Sequence, residues 1–589
     1  MQPSSSQDPS GSTPPSRAAA EPSSPARRGS ILVGAALIAL VALGLRAWHL
    51  EELAATAHHA NLSFLGDAAY YLEWSEKVAG GRLVGPNSFY MGPLYPYSVG
   101  LLSWLSSGEL VVTTPSGLEY HPELVLWVQA IIDTLSCLLV AWITLRVCGP
   151  WQGVLAGLVA AAMGPFLFSV GLVMPSTQGL FLNLAAVALS LHAARTWRAR
   201  SWLWVGLALG LAALSKAPAL LLLPATWLWL GIGFGGRPVR ERLLAGGAVA
   251  LGCLPLVGLA TWHNHLADGD RVLLTSNAGS NLWIGNGPGA SGAHAGVTTE
   301  FASAKLDFHR FELERPPGEP PASEVSRRLT RRALDHMAAD PAAAVGLLWR
   351  KLRLFWSAQE VGTEDHLGFF RRYSAPLRLP VPGVAWVAPL ALMGMVLARR
   401  RWRELWPLYA LVVTQAATFT AFLVLSRYRL ASLACWIVFA VLGLSLLLEA
   451  LRDRRRGELA LGLGSLALGG LLVLLPIEGF GPERGVANQL YHLAQAASER
   501  GEDPLPLYAE AVEAGWREGD LSLRQEAVCH LELGNAQVRS GRARRAAAHY
   551  RRGLEACSAM SPDFRYRRVL EQDLGERLRF VEQAQRAPR

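Results

Sequence analysis

Eleven apolar runs divide this sequence, and they constrain its fold more than any other feature. Each run is about 16–24 residues long, which suits a helix that crosses the hydrocarbon core of a membrane. They lie near residues 31–50, 123–146, 152–171, 176–194, 201–216, 218–234, 243–262, 383–398, 405–425, 430–449 and 458–476. Only 17% of the 589 residues are charged, whereas soluble proteins carry about 25%. We therefore predict an all-α polytopic membrane protein with about eleven spans.

Short clusters of arginine predict how the chain is oriented. The net charge is +9, but the basic residues stand between apolar runs, which argues against a nucleic-acid-binding surface. Every cluster falls on the cytoplasmic side if the amino terminus is cytoplasmic, as the positive-inside rule requires. The clusters lie at 27–28, 195–200, 237–242, 399–403 and 452–456. An odd number of spans then places the carboxyl-terminal tail outside the cytoplasm.

The apolar stretch from Ser201 to Phe234 is too long for one span, and Lys216 and Pro218 interrupt it near the middle. We interpret it as two short spans joined by a tight hairpin at the outer face. Both arginine-rich flanks then stay cytoplasmic, which a single span would not allow.

The remaining segments give the domain organisation. Residues 1–28 are rich in Ser, Pro and Ala, so we expect a disordered cytoplasmic segment. The membrane domain covers 29–480, and it carries two long outer loops, loop 1 (about 51–122) and loop 2 (about 263–382). A helical domain follows at 485–584. We expect the first span to be retained, because it is too long for the apolar core of a signal peptide.

Several local patterns predict helices in the two loops. Asp67 suits the N-cap of a helix that ends at Gly80-Gly81. In loop 2, residues 277–296 are rich in Gly, Asn and Ser and predict a coil, and a basic helix follows over 324–338. Asp340-Pro341 then predicts an N-cap and a first-turn proline. The helix that starts there has an apolar face with Lys351 opposite, so we expect it to lie on a membrane surface.

The tail contains one pattern that is typical of a tetratricopeptide helix pair. Its residues are Leu533-Gly534, Gly541, Ala546, Tyr550 and Leu554. A looser copy covers 490–514, and a generic helical hairpin is the alternative interpretation. Cys529 and Cys557 could pair if the tail lies in an oxidising compartment.

The first candidate for chemistry is Asp67, in an acidic and aromatic stretch directly after the first span. Its structural interpretation is a helix N-cap, worth about 1 kcal/mol. Its functional interpretation is a carboxylate at the mouth of a helical bundle, which is well placed to act on a lipid-borne substrate.

Two further candidates are basic. Lys216 lies between two apolar runs, where a cation costs about 2.5–3.5 kcal/mol on insertion scales, so it faces a cavity or a partner, or it snorkels to the interface. Arg427 and Arg429 flank Tyr428 at the predicted outer end of a span, against the positive-inside tendency. Arginine suits phosphate through its planar fork of donors, and a lipid headgroup is the alternative partner.

Other polar groups favour plainer interpretations. Asp133, one turn after Gln129 in the second span, indicates a buried hydrogen bond between helices. Glu360, with residues 364–366, forms an acidic group that could bind a divalent metal or could simply be solvated. The run from Gly287 to Gly292 matches a dinucleotide-binding pattern, but no strand–helix unit surrounds it, so we dismiss that match.

Taken together, these motifs resemble the GT-C superfamily of glycosyltransferases, which use polyprenyl-phosphate sugars. The resemblance is strongest to glycosyltransferase family 39, the protein O-mannosyltransferase and aminoarabinose-transferase relatives. It covers about 31–450 and rests mainly on order and topology. The segments that carry it are the Asp67 stretch, Pro93–Pro96, Gly206–Lys216, Thr275–Asn286 and Arg427–Arg429.

The resemblance implies a role for each candidate. Asp67 would be the catalytic carboxylate, as a general base on the acceptor hydroxyl or as a metal ligand. The residues implied in substrate binding are Tyr70, Tyr71, Tyr95, Lys216, Arg427, Tyr428 and Arg429. Many relatives have Glu after the first loop's Asp and Glu at the start of the fourth span, whereas this chain has Ala68 and residues 175–178 (PSTQ). No cofactor is therefore predicted, and a divalent metal stays open.

The sequence thus predicts an inverting hexosyl or pentosyl transferase. It would move a sugar from a polyprenyl-phosphate donor to a hydroxyl of a protein, lipid or glycan acceptor. We expect it in a bacterial inner membrane, with its site at the outer face and a tail that binds a protein partner or the acceptor. The alternatives are an envelope-polymer ligase or polymerase of related fold, and a non-enzymatic scaffold or transporter with a repeat domain.

Overall fold

The structure is a computed structural model of the whole chain. It describes residues 25–56, 67–114, 117–293, 320–362, 366–379, 383–478, 480, 486–499, 502–518, 523–560 and 567–586. Most of these residues are helical, as the sequence predicts.

The amino-terminal part consists of three helices and a small hairpin. They are α1 (Pro25–Ala54), α2 (Asp67–Ala79), α3 (Leu94–Ser106) and two antiparallel strands, β1 (Val111–Thr114) and β2 (Gly117–Tyr120). The predicted helix from Asp67 to the glycine pair is confirmed as α2. The hairpin adds a short strand pair that the all-α prediction did not include.

The central part is a series of apolar helices. They are α4 (Glu123–Val147), α5 (Pro150–Ala161), α6 (Gly164–Val170), α7 (Ser176–Thr196), α8 (Ala199–Ser215), α9 (Leu222–Ile232) and α10 (Val239–Asp268). A 3-10 turn over Ala217–Leu221 joins α8 to α9. The break between α8 and this turn falls at Lys216, where the sequence predicts an interruption.

Loop 2 contains four helices in the described part of the chain. They are α11 (Ala278–Asn286), α12 (Ala322–Ala339), α13 (Pro341–Trp356) and α14 (Leu367–Phe370). The predicted basic helix is confirmed as α12. Asp340 caps α13 as predicted, because its side chain accepts a hydrogen bond from the backbone of Ala343 at 3.0 Å.

The predicted coil over 277–296 is wrong for its first half, which forms α11. Two glycines allow this helix to approach its neighbours closely. A Cβ at Gly279 would stand 1.9 Å from the carbonyl oxygen of Ser326, and one at Gly285 would stand 1.8 Å from that of Phe422. Glycine lowers the local helix preference, but here tertiary packing decides the conformation.

The last apolar helices are α15 (Val384–Leu397), α16 (Trp402–Ala421), α17 (Leu430–Arg452) and α18 (Arg456–Leu474). Within the described residues, six helices are long and apolar enough to span a membrane, or seven if α5 and α6, bent by 53°, form one span. Helices occupy all eleven predicted runs, but α8, α9 and α15 are short. The protein is a multi-pass membrane protein, and the count of eleven spans stays a prediction.

A buried ion pair joins the first two long apolar helices. Arg46 of α1 donates from Nε to the Asp133 carboxylate of α4 at 2.7 Å, and from Nη1 to the carbonyl of Ala161 at 2.8 Å. Both charged side chains are buried. The predicted buried contact of Asp133 between helices is therefore confirmed, with an arginine as its partner.

Helix α13 differs from the predicted surface helix. Trp349 is exposed as expected, but Lys351 is fully buried, and its Nζ lies 2.6 Å from Oδ1 of Asn286. Lys351 also donates to the carbonyl of Ala421 at 3.4 Å. The side opposite the apolar face thus packs on α11 and α16, because buried oxygens there satisfy the ammonium group.

The tail is helical, with α19 (Val486–Glu499), α20 (Leu505–Glu518), α21 (Leu523–Arg539), α22 (Ala543–Ala559) and α23 (Arg567–Arg586). The predicted helix pair corresponds to α21 and α22, which pack together. Whether it is a tetratricopeptide repeat stays a prediction. Cys529 and Cys557 are separate, buried, free cysteines.

The tail packs directly against the loops of the membrane domain. One apolar core contains Leu50 of α1, Phe370 of α14, and Tyr491 and Tyr508 of the tail. Arg372 of loop 2 also pairs with Glu510 of α20 at 2.6 Å.

Candidate active site

An ion pair connects loop 1 with the end of α16. Asp67 is the first residue of α2, and Arg427 lies in a 3-10 turn over Ser426–Tyr428 between α16 and α17. Nη2 of Arg427 donates to Oδ2 of Asp67 at 2.9 Å, although 360 positions separate them in sequence. Each side chain is 18% exposed, so both remain accessible to a ligand.

Lys216 contacts the backbone of Arg427. The backbone at Lys216 is extended (φ −145°, ψ 112°) because α8 ends before it and the next turn begins after it. Its Nζ donates to the carbonyl of Arg427 and to Oγ of Ser176, both at 3.4 Å. The break between the two apolar helices therefore brings a cation beside Arg427.

The ring of Tyr428 lies beneath both cations. Nζ of Lys216 is 5.1 Å and Cζ of Arg427 is 5.6 Å from the ring centroid. Phe419 stacks on the same ring at 5.2 Å. Such cation–π contacts hold cationic groups in place without neutralising their charge.

Tyr71 packs beside the ion pair from within α2. Burial raises its pKa well above the usual range, and the negative charge of Asp67 adds to this effect. The phenol therefore stays protonated and can donate a hydrogen bond near the carboxylate. Tyr70 is also buried, at 5.4 Å from Tyr71 between ring centroids.

Two predicted substrate-binding residues are engaged elsewhere. Tyr95 is buried, and its hydroxyl donates to Oε1 of Gln129 at 2.8 Å. Arg429 is 2% exposed, and Nη1 donates to the carbonyls of Leu354, Phe355 and Ser357, the last at 2.6 Å. These contacts bind the Arg429 guanidinium to the carboxyl-terminal end of α13, so Arg429 does not contact Asp67.

A small cavity, partly open to solvent, borders Arg427. Helix α6, the segment after α13 and the turn at 426–428 form its walls. Its lining is largely apolar, and Arg427 and Glu360 are its charged residues. The cavity can therefore take a ligand with apolar and polar parts beside the Asp67–Arg427 pair.

The structure does not gather the predicted acidic group. Glu360 pairs with Arg429 at 3.3 Å, and Nδ1 of His366 accepts a hydrogen bond from the backbone of Gly368. Residues 364 and 365 lie outside the described part of the chain. Within the described part, no three His, Cys, Asp or Glu side chains gather to hold a metal. A described contact of Asp67 is the Arg427 guanidinium.

Ser176 and Glu360 belong to the site but were not among the predicted site residues. Ser176 stands where relatives were expected to carry Glu, and this departure was the available signal. Glu360 was visible only as part of an acidic run, because its place in the cavity wall depends on the fold.

Residues 121–262 match the family model described as dolichyl-phosphate-mannose-protein mannosyltransferase. This segment runs from the start of α4 into α10 and includes Lys216 and Ser176. Over this segment, the predicted resemblance to protein O-mannosyltransferases is confirmed. Among curated proteins, none matches the chain at a significant level.

Solved structures give remote likenesses. The Archaeoglobus fulgidus oligosaccharyltransferase in the apo form has 15% identity and a TM-score of 0.43, covering 79% of this chain and 56% of its own. The same archaeal enzyme, AglB, in complex with an inhibitory peptide and a dolichol-phosphate has 16% identity and a TM-score of 0.42, covering 80% and 56%. The S. cerevisiae protein O-mannosyltransferase Pmt1–Pmt2 complex bound to the sugar donor has 16% identity and a TM-score of 0.28, covering 41% and 33%. The chain thus spans about half the length of the archaeal enzyme.

Proposed function

We propose that this protein transfers a sugar from a polyprenyl-phosphate donor to an acceptor hydroxyl at the outer face of the membrane, with inversion. The observation that carries the proposal is the convergence of Asp67, Arg427 and Lys216 from three distant parts of the chain. The family match over 121–262 supports the same reaction class. A donor with a polyprenyl tail also accounts for a site built on membrane helices.

The charges of the three residues suit the two halves of the reaction. Asp67 accepts the proton of the acceptor hydroxyl while that oxygen forms its bond to the anomeric carbon. The bond between the anomeric carbon and the phosphate oxygen breaks, and its electron pair stays on the phosphate. Arg427 and Lys216 stabilise the charge that develops there. Attack from the face opposite the leaving phosphate inverts the anomeric carbon.

The aromatic residues and the cavity supply the surroundings of this chemistry. Tyr428 fixes the two cations, and the protonated Tyr71 can donate to a sugar or acceptor oxygen near Asp67. The cavity beside Arg427 is partly open to solvent, next to the point where phosphate would bind.

The test is sugar transfer from a panel of radiolabelled polyprenyl-phosphate sugars, in membranes that contain matched amounts of protein. The wild type should transfer at least one sugar, and Asp67→Asn should lower the rate by about 10²–10⁴-fold. Asp335→Asn, on the exposed side of α12, is the control for loss of a carboxylate. Equal transfer by wild type and Asp67→Asn would move the base elsewhere. No transfer from any donor would favour a scaffold.

A further inference from the structure

The two residues assigned to opposite tasks are bound to each other in this structure. Asp67 is the proposed base, and Arg427 is a proposed ligand of the donor phosphate, yet Nη2 of Arg427 donates to the carboxylate of Asp67 at 2.9 Å. An ion pair with a guanidinium favours the charged form of a carboxylate and makes it a poor proton acceptor. In the absence of donor, Asp67 is therefore a weak base.

The local charge shows what can separate the pair. Among the described residues, Arg427 and Asp67 are charged neighbours of Lys216, so these three side chains carry one negative and two positive charges when ionised. The Lys216 ammonium contacts two neutral oxygens and the Tyr428 ring. A phosphodiester with a single negative charge can pair with these two cations, and it competes with Asp67 for the guanidinium.

The Arg427 side chain reaches both Asp67 and the cavity. Its side chain is 18% exposed and borders the cavity, and its Nη1 lies 3.6 Å from the sulfur of Met174, a weak acceptor. Arg429, two residues later, differs in this respect, because the carbonyls at the end of α13 hold its guanidinium. Only the first of these two arginines is thus placed to exchange one anion for another.

We propose that Arg427 acts as a latch, which binds the Asp67 carboxylate while the site is empty and releases it when the donor phosphate binds. The inference rests on the proposed function and describes the regulation of that site. The donor phosphate takes the guanidinium, and Asp67 becomes free to accept the proton of the acceptor hydroxyl. After transfer, the departing polyprenyl phosphate holds Arg427 while Asp67 gives its proton to water. The pair re-forms when the lipid leaves, so the empty site does not keep an active base.

The test is a double-mutant cycle on binding of a polyprenyl phosphate to the full chain in lipid nanodiscs. The four proteins are the wild type, Asp67→Asn, Arg427→Gln and the double variant. Asp67→Asn should bind the lipid phosphate about five- to tenfold more tightly, because the competing carboxylate is gone. Arg427→Gln should weaken binding, and the gain from Asp67→Asn should shrink in that background.

Simple repulsion between Asp67 and phosphate gives the opposite pattern. Without Arg427 the carboxylate is no longer neutralised, so repulsion predicts an equal or larger gain from Asp67→Asn in the Arg427→Gln background. That result, or no gain in the single variant, would overturn the latch. Arg427→Lys, which keeps the charge but loses the planar fork, replaces Arg427→Gln in the cycle if the latter does not fold.

The same measurement separates the latch from the proposed function. If the wild type and Asp67→Asn bind a polyprenyl phosphate equally well, the latch is contradicted, whereas the proposed polyprenyl-phosphate donor is not. If none of the four proteins binds it, the donor class fails and the latch with it. Asp335→Asn should bind as the wild type does, which shows that the gain requires this particular carboxylate.

Discussion

The buried charges of Arg46 and Asp133 lie within hydrogen-bonding distance of each other. At the centre of the helical bundle, each removes the cost of burying the other. Asp67 and Arg427 form a similar pair at a more exposed position. The difference in exposure separates a structural ion pair from one that a ligand can open.

The buried pair predicts a strong effect of removing one partner. Asp133→Leu should lower the stability of the protein by about 3–5 kcal/mol, because the guanidinium of Arg46 stays buried without its counter-charge. Arg46→Met in the same protein should recover much of this loss. Thermal unfolding of the purified protein in detergent measures both effects. A single variant as stable as wild type would show that water or another group compensates Arg46.

The two neighbouring arginines should behave differently when each is replaced by alanine. Arg427→Ala should abolish most sugar transfer with little change in stability, because its side chain is partly exposed and contacts the proposed phosphate position. Arg429→Ala should lower stability by about 3 kcal/mol, because several buried carbonyls lose a charged donor. Transfer rates per folded molecule and unfolding temperatures should therefore rank the two variants in opposite orders. Equal effects on both quantities would remove this distinction.

At the scale of elements, the sequence predicts features that depend on local pattern. The apolar runs, the cap at Asp340 and the helix that begins at Asp67 follow from composition and spacing over a few residues. Helix α11 could not be predicted in this way, because its glycines serve a close approach to distant backbone. The burial of Lys351 and the carbonyl cage of Arg429 also depend on packing between distant segments. The sequence indicates Asp67 and Arg427 as two separate candidates, but it does not predict that they form an ion pair.

The helix pair α21–α22 contains a histidine contact that predicts sensitivity to acid. Nδ1 of His530 lies 3.1 Å from Nδ1 of His549, and burial lowers the pKa of His530 to about 4. An unfolded histidine titrates near pH 6.5, so between about pH 6.5 and 4 the unfolded tail binds a proton that the folded tail does not. Stability is therefore intact above pH 6.5 and falls as the pH drops toward 4.

Hydrogen exchange of α21 and α22 in the full-length protein measures this effect. Amide protection in the pair should decrease between pH 6.5 and 4, after correction for the intrinsic pH dependence of exchange. His530→Phe should reduce this decrease, because it removes the His530 imidazole, whereas His549, whose pKa burial also lowers, remains. Protection that is independent of pH in the wild type would contradict the prediction.

At the scale of the whole molecule, the short helix α14 connects the tail with the cavity wall. Phe370 of α14 shares a core with Tyr491 and Tyr508, and Arg372 pairs with Glu510. Leu367, at the other end of α14, lines the cavity beside Arg427. The tail is thus connected to the cavity wall, whereas the Asp67–Arg427–Lys216 cluster is built from the membrane domain alone.

This arrangement predicts that the tail influences the acceptor more than the donor. A chain that ends at Gly485 should bind a polyprenyl phosphate as the wild type does, because its proposed ligands remain. Transfer to the acceptor should fall or change in selectivity, since α14 loses its packing partner and the acceptor loses a neighbouring surface. Glu510→Lys in the full chain is a milder variant that disturbs only the ion pair with Arg372, and it should shift acceptor selectivity in the same direction. Unchanged acceptor choice in both proteins would assign the tail a purely structural role. Loss of donor binding in the truncated chain would instead show that the tail supports the cluster itself.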